Sequence, residues 1–337
     1  TIAYAEMTMY PNESELASMF MLTWPDIHRS VTGLEFNQGV QLNTNFNWSN
    51  NTRVEFGNTF ISSEFGEQQL SVFNKSGKDD HEEVLLNAST RISYSKTPGI
   101  VSEISIAYGE RLPSTSEQFG FYLFNRQDGF DYLGDPDLKK ESNIHLEVNQ
   151  GWETEKIKLK GSLFSYFFNN YIMGIYDPTL SNMTIGARGV KWYENVGRAS
   201  MFGGEFSGNY RFNNELSLAT DVKYVYGEDF ESDPLPQMPP LKVNVSLDKA
   251  WKGFFFHPEV EWAAAQNRVN EKFNEIKTPE YFLIHLKVYK EFDLNNTKLK
   301  LTTGIENITN TAYREHFDIG TLLRPGRNGF VQIQYQF

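Results

Sequence analysis

The chain has no cysteine, no surplus of basic residues and no long apolar run, and each absence removes a class of protein. Without cysteine there is neither a disulfide framework nor a thiolate metal site. A formal net charge of −12 denies nucleic acid the basic footprint that its phosphates require, so no nucleic-acid partner is expected. A membrane helix needs roughly 18 or more apolar residues in a row. The apolar stretch Met19-Phe20-Met21-Leu22 already breaks at Thr23. The histidines are scattered without the spacing of a helical metal site. There is no Gly-rich phosphate loop and no serine nucleophile elbow, so no catalytic residue is assigned. The opening Thr1-Ile2-Ala3-Tyr4 carries neither the basic nor the apolar region of a signal peptide.

What the chain has in quantity is aromatic rings. They make up 15% of its 337 residues, yet the mean hydropathy is −0.49. Alternation reconciles the two. Leu241, Val243, Val245 and Leu247 alternate with Lys242, Asn244, Ser246 and Asp248. Ile144, Leu146 and Val148 alternate with His145, Glu147 and Asn149, and Leu299, Leu301 and Ile305 oppose Lys298, Lys300 and Glu306. Near the C-terminus Val331, Ile333, Tyr335 and Phe337 oppose Gln332, Gln334 and Gln336. A period of two is the signature of strands. Here the polar faces are too wet for the inside of a soluble sandwich. One face in lipid and the other lining a watery lumen satisfies both, which predicts an all-β, antiparallel transmembrane barrel. A large soluble β-sandwich or propeller is the competing fold, but no regular internal repeat supports a propeller.

Connections come in two sizes. Asn213-Asn214 and Asn295-Asn296 predict tight hairpins closed by residues that tolerate positive φ. Arg111 to Lys140 and Tyr176 to Glu194 are long and rich in Gly, Pro, Asp and aromatics. Short turns on one rim and long loops on the other are the periplasmic and extracellular ends of such a barrel. The pattern predicts about thirteen strands over 33–337, a loop region over 1–32, and almost no helix.

Several stretches carry more than periodicity. Arg111-Leu112-Pro113-Ser114 with Glu117 and Phe119 reads as a strand climbing into an extracellular loop. Gly134-Asp135-Pro136-Asp137-Leu138-Lys139-Lys140-Glu141 starts the next strand. There follow Glu194-Asn195-Val196-Gly197-Arg198-Ala199 with Gly203-Gly204-Glu205, then Pro236-Gln237-Met238-Pro239-Pro240-Leu241. Glu306-Asn307-Ile308-Thr309-Asn310 with Tyr313, and Arg324-Pro325-Gly326-Arg327, come last. In this order they resemble the C-terminal half of the TonB-dependent receptor barrel, departing from the family at Asp135, where Asn is usual, and Lys140, where Pro is usual. Each motif also has a structural reading. Gly203-Gly204 and Gly326 permit backbone that other residues resist, Pro239 and Pro240 suit a strand entry, and Asn307 and Asn310 can close a turn.

The resemblance implies the C-terminal part of a barrel of about 22 strands with its plug domain outside this chain. It implies a receptor in the outer membrane of a Gram-negative bacterium, energised by the TonB–ExbB–ExbD complex through an N-terminal region. Such a fragment alone is not expected to transport. A passive porin or a barrel enzyme is the alternative, but no acid, histidine and serine group into a catalytic set.

The family imports scarce nutrients, among them metals and metal chelates such as ferric siderophores. No resident cofactor is required; copper or a chelate would enter as cargo. Met7 and Met9, and Met19 and Met21, form i, i+2 pairs that extended backbone turns to one side. Thioethers are soft donors suited to Cu(I), with His28 near enough to join them, and Met19 to Asp26 resembles the copper-related subgroup. Methionine also fills gaps without specificity. The loop from Phe119 to Tyr132 offers a second candidate, with Phe119, Tyr122, Arg126 and Tyr132 suited to a flat catecholate or sugar ring. The acidic run Asp79-Asp80-His81-Glu82-Glu83 reads as a solvated rim segment.

Overall fold

The computed structural model describes residues 23–24, 27–62, 64–71, 80–294, 297–318 and 321–336. Its strands, in chain order, begin with β1 (Ile27–Gln41), β2 (Phe46–Ile61), β3 (Asp80–Tyr94) and β4 (Ile100–Arg111). Next come β5 (Leu123–Asn125), β6 (Phe130–Leu133), β7 (Glu141–Glu153), β8 (Ile157–Asn169) and β9 (Ile172–Asp177). They continue with β10 (Val190–Asn195), β11 (Ala199–Asn213), β12 (Leu216–Asp229) and β13 (Lys242–Trp251). The last are β14 (Phe254–Ala263), β15 (Tyr281–Leu294), β16 (Thr297–Glu306) and β17 (Asn328–Gln336).

Among the described residues these form a 13-stranded sheet, in the order β1-β2-β3-β4-β7-β8-β11-β12-β13-β14-β15-β16-β17, and a 4-stranded one. Every neighbour in the large sheet is antiparallel. The register decides which side chains share a face. Ile144 lies opposite Phe167 and Tyr108, and Phe206 lies opposite Val222, so one face of the sheet is apolar from strand to strand. Leu34, Ile104 and Leu163 stand exposed on it. A sheet leaving such residues bare toward water would aggregate; toward lipid they are at home. The opposite face carries Glu103, Asn149, Ser162, Glu205 and Lys223, with Lys223 Nζ 2.6 Å from Glu205 Oε1.

Long and short connections alternate among the described residues, the short link 295–296 lying outside them. Residues 42–45, 95–99, 154–156, 214–215 and 252–253 turn at one rim, while 62–79, 112–140, 170–198, 230–241, 264–280 and 307–327 leave the other. β1 and β17 each leave an edge unpaired within the sheet. An antiparallel sheet with an odd number of strands has both end strands running the same way. These two edges therefore cannot close on each other antiparallel, and closure in that mode takes an odd number of further strands.

Three local expectations change. The first strand starts at Ile27 instead of Gly33, because Ile27 packs on Ile61 and Phe119 while Arg29 donates to Thr59 Oγ1 at 2.9 Å and Gln118 Oε1 at 2.7 Å. That polar entry is pinned by side chains from elsewhere, so periodicity alone does not reveal it. Two short helices occur in the rim loops, α1 (Glu64–Ser71) and α2 (Thr115–Phe119). The second starts in a capping box, Ser114 Oγ accepting from Glu117 N and Glu117 Oε2 from Ser114 N. The Asn213-Asn214 turn closes without positive φ; Asn213 Oδ1 accepts Glu215 N at 2.8 Å instead. The left-handed pair sits at Lys252-Gly253, φ 49° and 77°. Asn295-Asn296 lies outside the described residues.

The motif residues have structural work to do. Pro239 and Pro240 stand just ahead of β13. Asn307 Oδ1 accepts Thr311 N and Asn310 Oδ1 accepts Arg327 N, both at 2.9 Å. At Gly203 the requirement is space rather than φ. A Cβ there would lie 2.6 Å from the Phe164 ring and 2.5 Å from the Tyr224 carbonyl oxygen.

Candidate ligand-receiving site beneath the loop roof

The long loops fold over their rim into the second sheet, ordered β5-β6-β10-β9. β6 and β10 run parallel, Val190 opposite Asp131 and Trp192 opposite Leu133. The heart of this roof is polar and buried, with Asp131 and Lys191 wholly shielded beside Phe130. Asp131 Oδ2 accepts Met183 N at 2.8 Å and Thr184 N at 2.9 Å, clamping the far loop to β6.

Lys191 sets the geometry. Its Nζ lies 2.6 Å from Asp128 Oδ2, 4.2 Å from the Phe130 ring centroid and 3.1 Å from that of Phe273. Burial pushes its pKa down to about 8, against the opposing pull of Asp128. Tyr132 donates to the same Asp128 oxygen at 2.6 Å; burial first, then that carboxylate, hold the phenol far above its usual range. Phe273 belongs to the 264–280 loop, which also accepts Tyr176 N on Lys272 O at 2.9 Å. That loop is tied onward through Glu275. Its carboxylate accepts Gln237 N at 2.6 Å and Asn270 N at 2.9 Å, and lies 2.9 Å from His316 Nε2. Five long loops, 112–140, 170–198, 230–241, 264–280 and 307–327, are thereby joined into one body.

Where this roof meets the barrel, Arg111 bridges Glu117 at 2.8 Å and Glu141 at 3.1 Å. Below it the polar face carries an unexpected stripe of rings. His145 stacks on Tyr166 at 4.1 Å between centroids, Tyr166 on Phe168 at 5.8 Å, and Phe168 meets Tyr171 at 5.2 Å. The sequence reading missed it. The signal is in Phe164-Ser165-Tyr166-Phe167-Phe168, where rings occupy both parities: Phe167 takes the apolar face, opposite Ile144, and the others the polar one. Lower on that face lies a concave hollow of about 830 Å³, lined among others by Glu103, Lys160, Asp221 and Lys242.

The predicted ligand residues divide. Phe119 is wholly buried beside Ile27 and Ile61, and Tyr132 is buried against Asp128 and Lys191. Tyr122 is half-buried at φ 51°, edge-on to Phe121 at 5.2 Å. Arg126 is exposed at the β5–β6 turn. The structure brings Tyr132 to Lys191 but places Phe119 in a different cluster. His28 lies opposite Phe60 and stacks on it at 5.0 Å, on the apolar face of β1. Met7, Met9, Met19 and Met21 lie outside the described residues, as does Asp79. Glu83, from the same acidic run, stands 3.8 Å from Lys140 Nζ. Asp229, Glu231 and Asp233 cluster closely enough for a cation, but Lys272 Nζ already lies 2.6 Å from Glu231 and 2.9 Å from Asp233.

A family model described as TonB dependent receptor-like, beta-barrel, matches residues 30–308. The chain belongs to that family. Among solved structures, this TonB-dependent receptor barrel is similar to the copper transporter OprC, with a TM-score of 0.75 and 16% identity, covering 92% of this chain and 48% of that one. It is also similar to the FrpB iron transporter from Neisseria meningitidis, TM-score 0.66 at 13% identity, covering 96% of this chain and 47% of that one. The ferric citrate transporter FecA gives 0.67 at 15%, covering 92% and 45%. The TonB-dependent receptor chain thus spans about half the length of the structures it matches. At these identities the likeness establishes the fold. No curated protein matches the sequence. Receptors of this family are outer-membrane barrels of Gram-negative bacteria.

Proposed function

We propose that the protein is an outer-membrane receptor for TonB-energised uptake of a metal or metal chelate, working with TonB–ExbB–ExbD and with this chain supplying barrel wall and roof. The observation that carries the reading is the knitted roof, centred on Lys191, standing over a ring-lined lumen wall in a chain of this family. A passive pore has no use for a roof tied across five loops. Arg126 and Tyr122 are the roof residues that meet an arriving ligand, while Phe119 and Tyr132 fix the shape of the loop that carries them. The ring-bearing wall suits the flat faces of a catecholate chelate.

Copper is the second reading, favoured by the thioether pairs Met7 and Met9, Met19 and Met21. His28 is the nitrogen donor nearest to them in sequence. Thermal shift of the full-length protein in detergent tests both, with Cu(I), Cu(II), Zn(II), ferric siderophores and cobalamin each added. Selective stabilisation by Cu(I), lost when the four Met become Leu, supports copper. A response to a ferric chelate alone assigns the site to roof and wall, and no response to any of them removes the metal reading.

A further inference from the structure

The apolar face of the large sheet carries a lysine that the rest of that face does not explain. Lys290 lies opposite Phe254 on β14 and Leu301 on β16, on the same face as Phe256, Val260 and Trp262 by register. Its inward-facing neighbours account for themselves: Glu291 lies 3.8 Å from Lys300 Nζ. Lys290 has rings instead of a carboxylate. Its Nζ sits 4.7 Å from the Phe254 centroid and 5.2 Å from that of Phe292.

The level of this lysine along the strand matters. Phe254 directly follows the Lys252-Gly253 turn, so Lys290 lies at the short-turn rim. Lys252 in that turn sits 4.8 Å over Trp251. Neither lysine has a carboxylate partner among the ion pairs of the described residues, whereas Lys249, on β13 just ahead of the turn, pairs with Glu215 at 2.9 Å. Trp251, Phe254 and Phe292 stand exposed around them, as aromatic residues do at a membrane interface. A bare ammonium is costly at the bilayer midplane but nearly free of cost at the headgroup level. There, the anion on offer is phosphate, and a lysine near an anionic leaflet is drawn to it. The ammonium thus lies among rings at the level where headgroups begin.

We propose that Lys290 and Lys252, framed by Trp251, Phe254 and Phe292, hold the phosphate of an anionic phospholipid in the leaflet at the short-turn rim. The site rests on the outer-membrane reading above. It commits to a lipid rather than to free phosphate, because the rings need acyl chains beside them.

The test uses full-length protein in detergent, with native mass spectrometry and thermal shift reading added phosphatidylglycerol, phosphatidylcholine and inorganic phosphate. Phosphatidylglycerol is expected to be retained and stabilising, phosphatidylcholine less so, and phosphate inert. Lys290→Leu should weaken phosphatidylglycerol retention about fivefold, and Lys290→Leu with Lys252→Gln by more, while Lys290→Arg keeps it. Leucine suits a lipid-facing strand, so loss of binding in that variant is not loss of fold. Equal retention of both lipids, or phosphatidylglycerol binding untouched in the double variant, overturns the site while leaving the barrel reading intact. Failure to bind either lipid, with solubility free of detergent, overturns the membrane reading itself.

Discussion

Lys191 Nζ stands 2.6 Å from Asp128 Oδ2 and 3.1 Å from the centre of the Phe273 ring, so one ammonium joins two loops that are far apart in the chain. The ion pair draws β10 to the β5–β6 turn, and the ring draws in the 264–280 loop.

This arrangement has a pH signature. Burial lowers the folded pKa of Lys191 to about 8, below its ordinary 10.5. Between those values the unfolded lysine still binds a proton that the folded one has released. Stability therefore rises with pH across that window, and the cost of the buried charge is in full force below it. Thermal unfolding of the full-length protein in detergent, compared with Lys191→Met between pH 7 and 10, should show the wild type gaining on the variant as pH rises. Parallel curves would mean that Lys191 is not titrating in this window.

At pH 7 Lys191→Met leaves Asp128 buried without its cation, and breaking such a pair costs roughly 3–5 kcal/mol. The loss should fall on the roof. Amide exchange is expected to quicken in Leu123–Leu133 and Val190–Asn195 while β7, β8 and β11 stay protected. Adding Asp128→Asn should restore part of the protection, since a neutral side chain costs less to bury.

The sheet was legible in the sequence and the roof was not, for one physical reason. Lipid and water make opposite demands on successive side chains, so Ile144, Leu146 and Val148 declare their face within a few residues. The roof is made of contacts such as Lys191 to Asp128, 63 positions apart, and local periodicity carries no trace of them. The aromatic loop was visible as a composition, but Phe119 and Tyr132 are turned inward, one to the rim core and one to Lys191. The ring stripe broke the polar-inside expectation on β8, because one strand carried aromatics on both faces.

Gly203 gives a packing prediction. With the Phe164 ring and the Tyr224 carbonyl both closer than a Cβ tolerates, Gly203→Ala must push the ring aside or bend the strand. Overpacking of this kind costs about 1–3 kcal/mol. Folding yield should drop for Gly203→Ala and recover only in part in Gly203→Ala with Phe164→Leu, because the Tyr224 carbonyl stays in place. Normal yield in the single variant would show that the ring and the strand both give way.

Arg324 clamps Asp318 with Nε to Oδ2 at 2.8 Å and a second nitrogen to Oδ1 at 2.8 Å. The guanidinium holds the Asp318 carboxyl below its usual range, so the stabilisation is present above pH 3.8 and fades as pH falls toward the folded value. Arg324 is 41% exposed, and solvent screening limits the pair to about 0.5–1 kcal/mol. Arg324→Ala should lower thermal stability by that amount at pH 7 and by less at pH 3, with the strands unaffected. A pH-independent loss would point to packing of the Arg324 side chain instead.

The ring stripe separates ligand recognition from packing. His145 over Tyr166 at 4.1 Å, with Phe168 and Tyr171 continuing upward, sets a run of rings on the polar face of the sheet. A flat-ringed cargo stacked there would gain about 0.5–1.5 kcal/mol per ring pair. Tyr166→Ala in the full-length receptor should therefore weaken binding of a ferric catecholate roughly three- to tenfold, while Tyr166→Phe leaves it near wild type. Binding of a chelate without aromatic rings should not change in either variant. A loss common to both chelates, accompanied by a lower unfolding temperature, would return the stripe to a purely structural role.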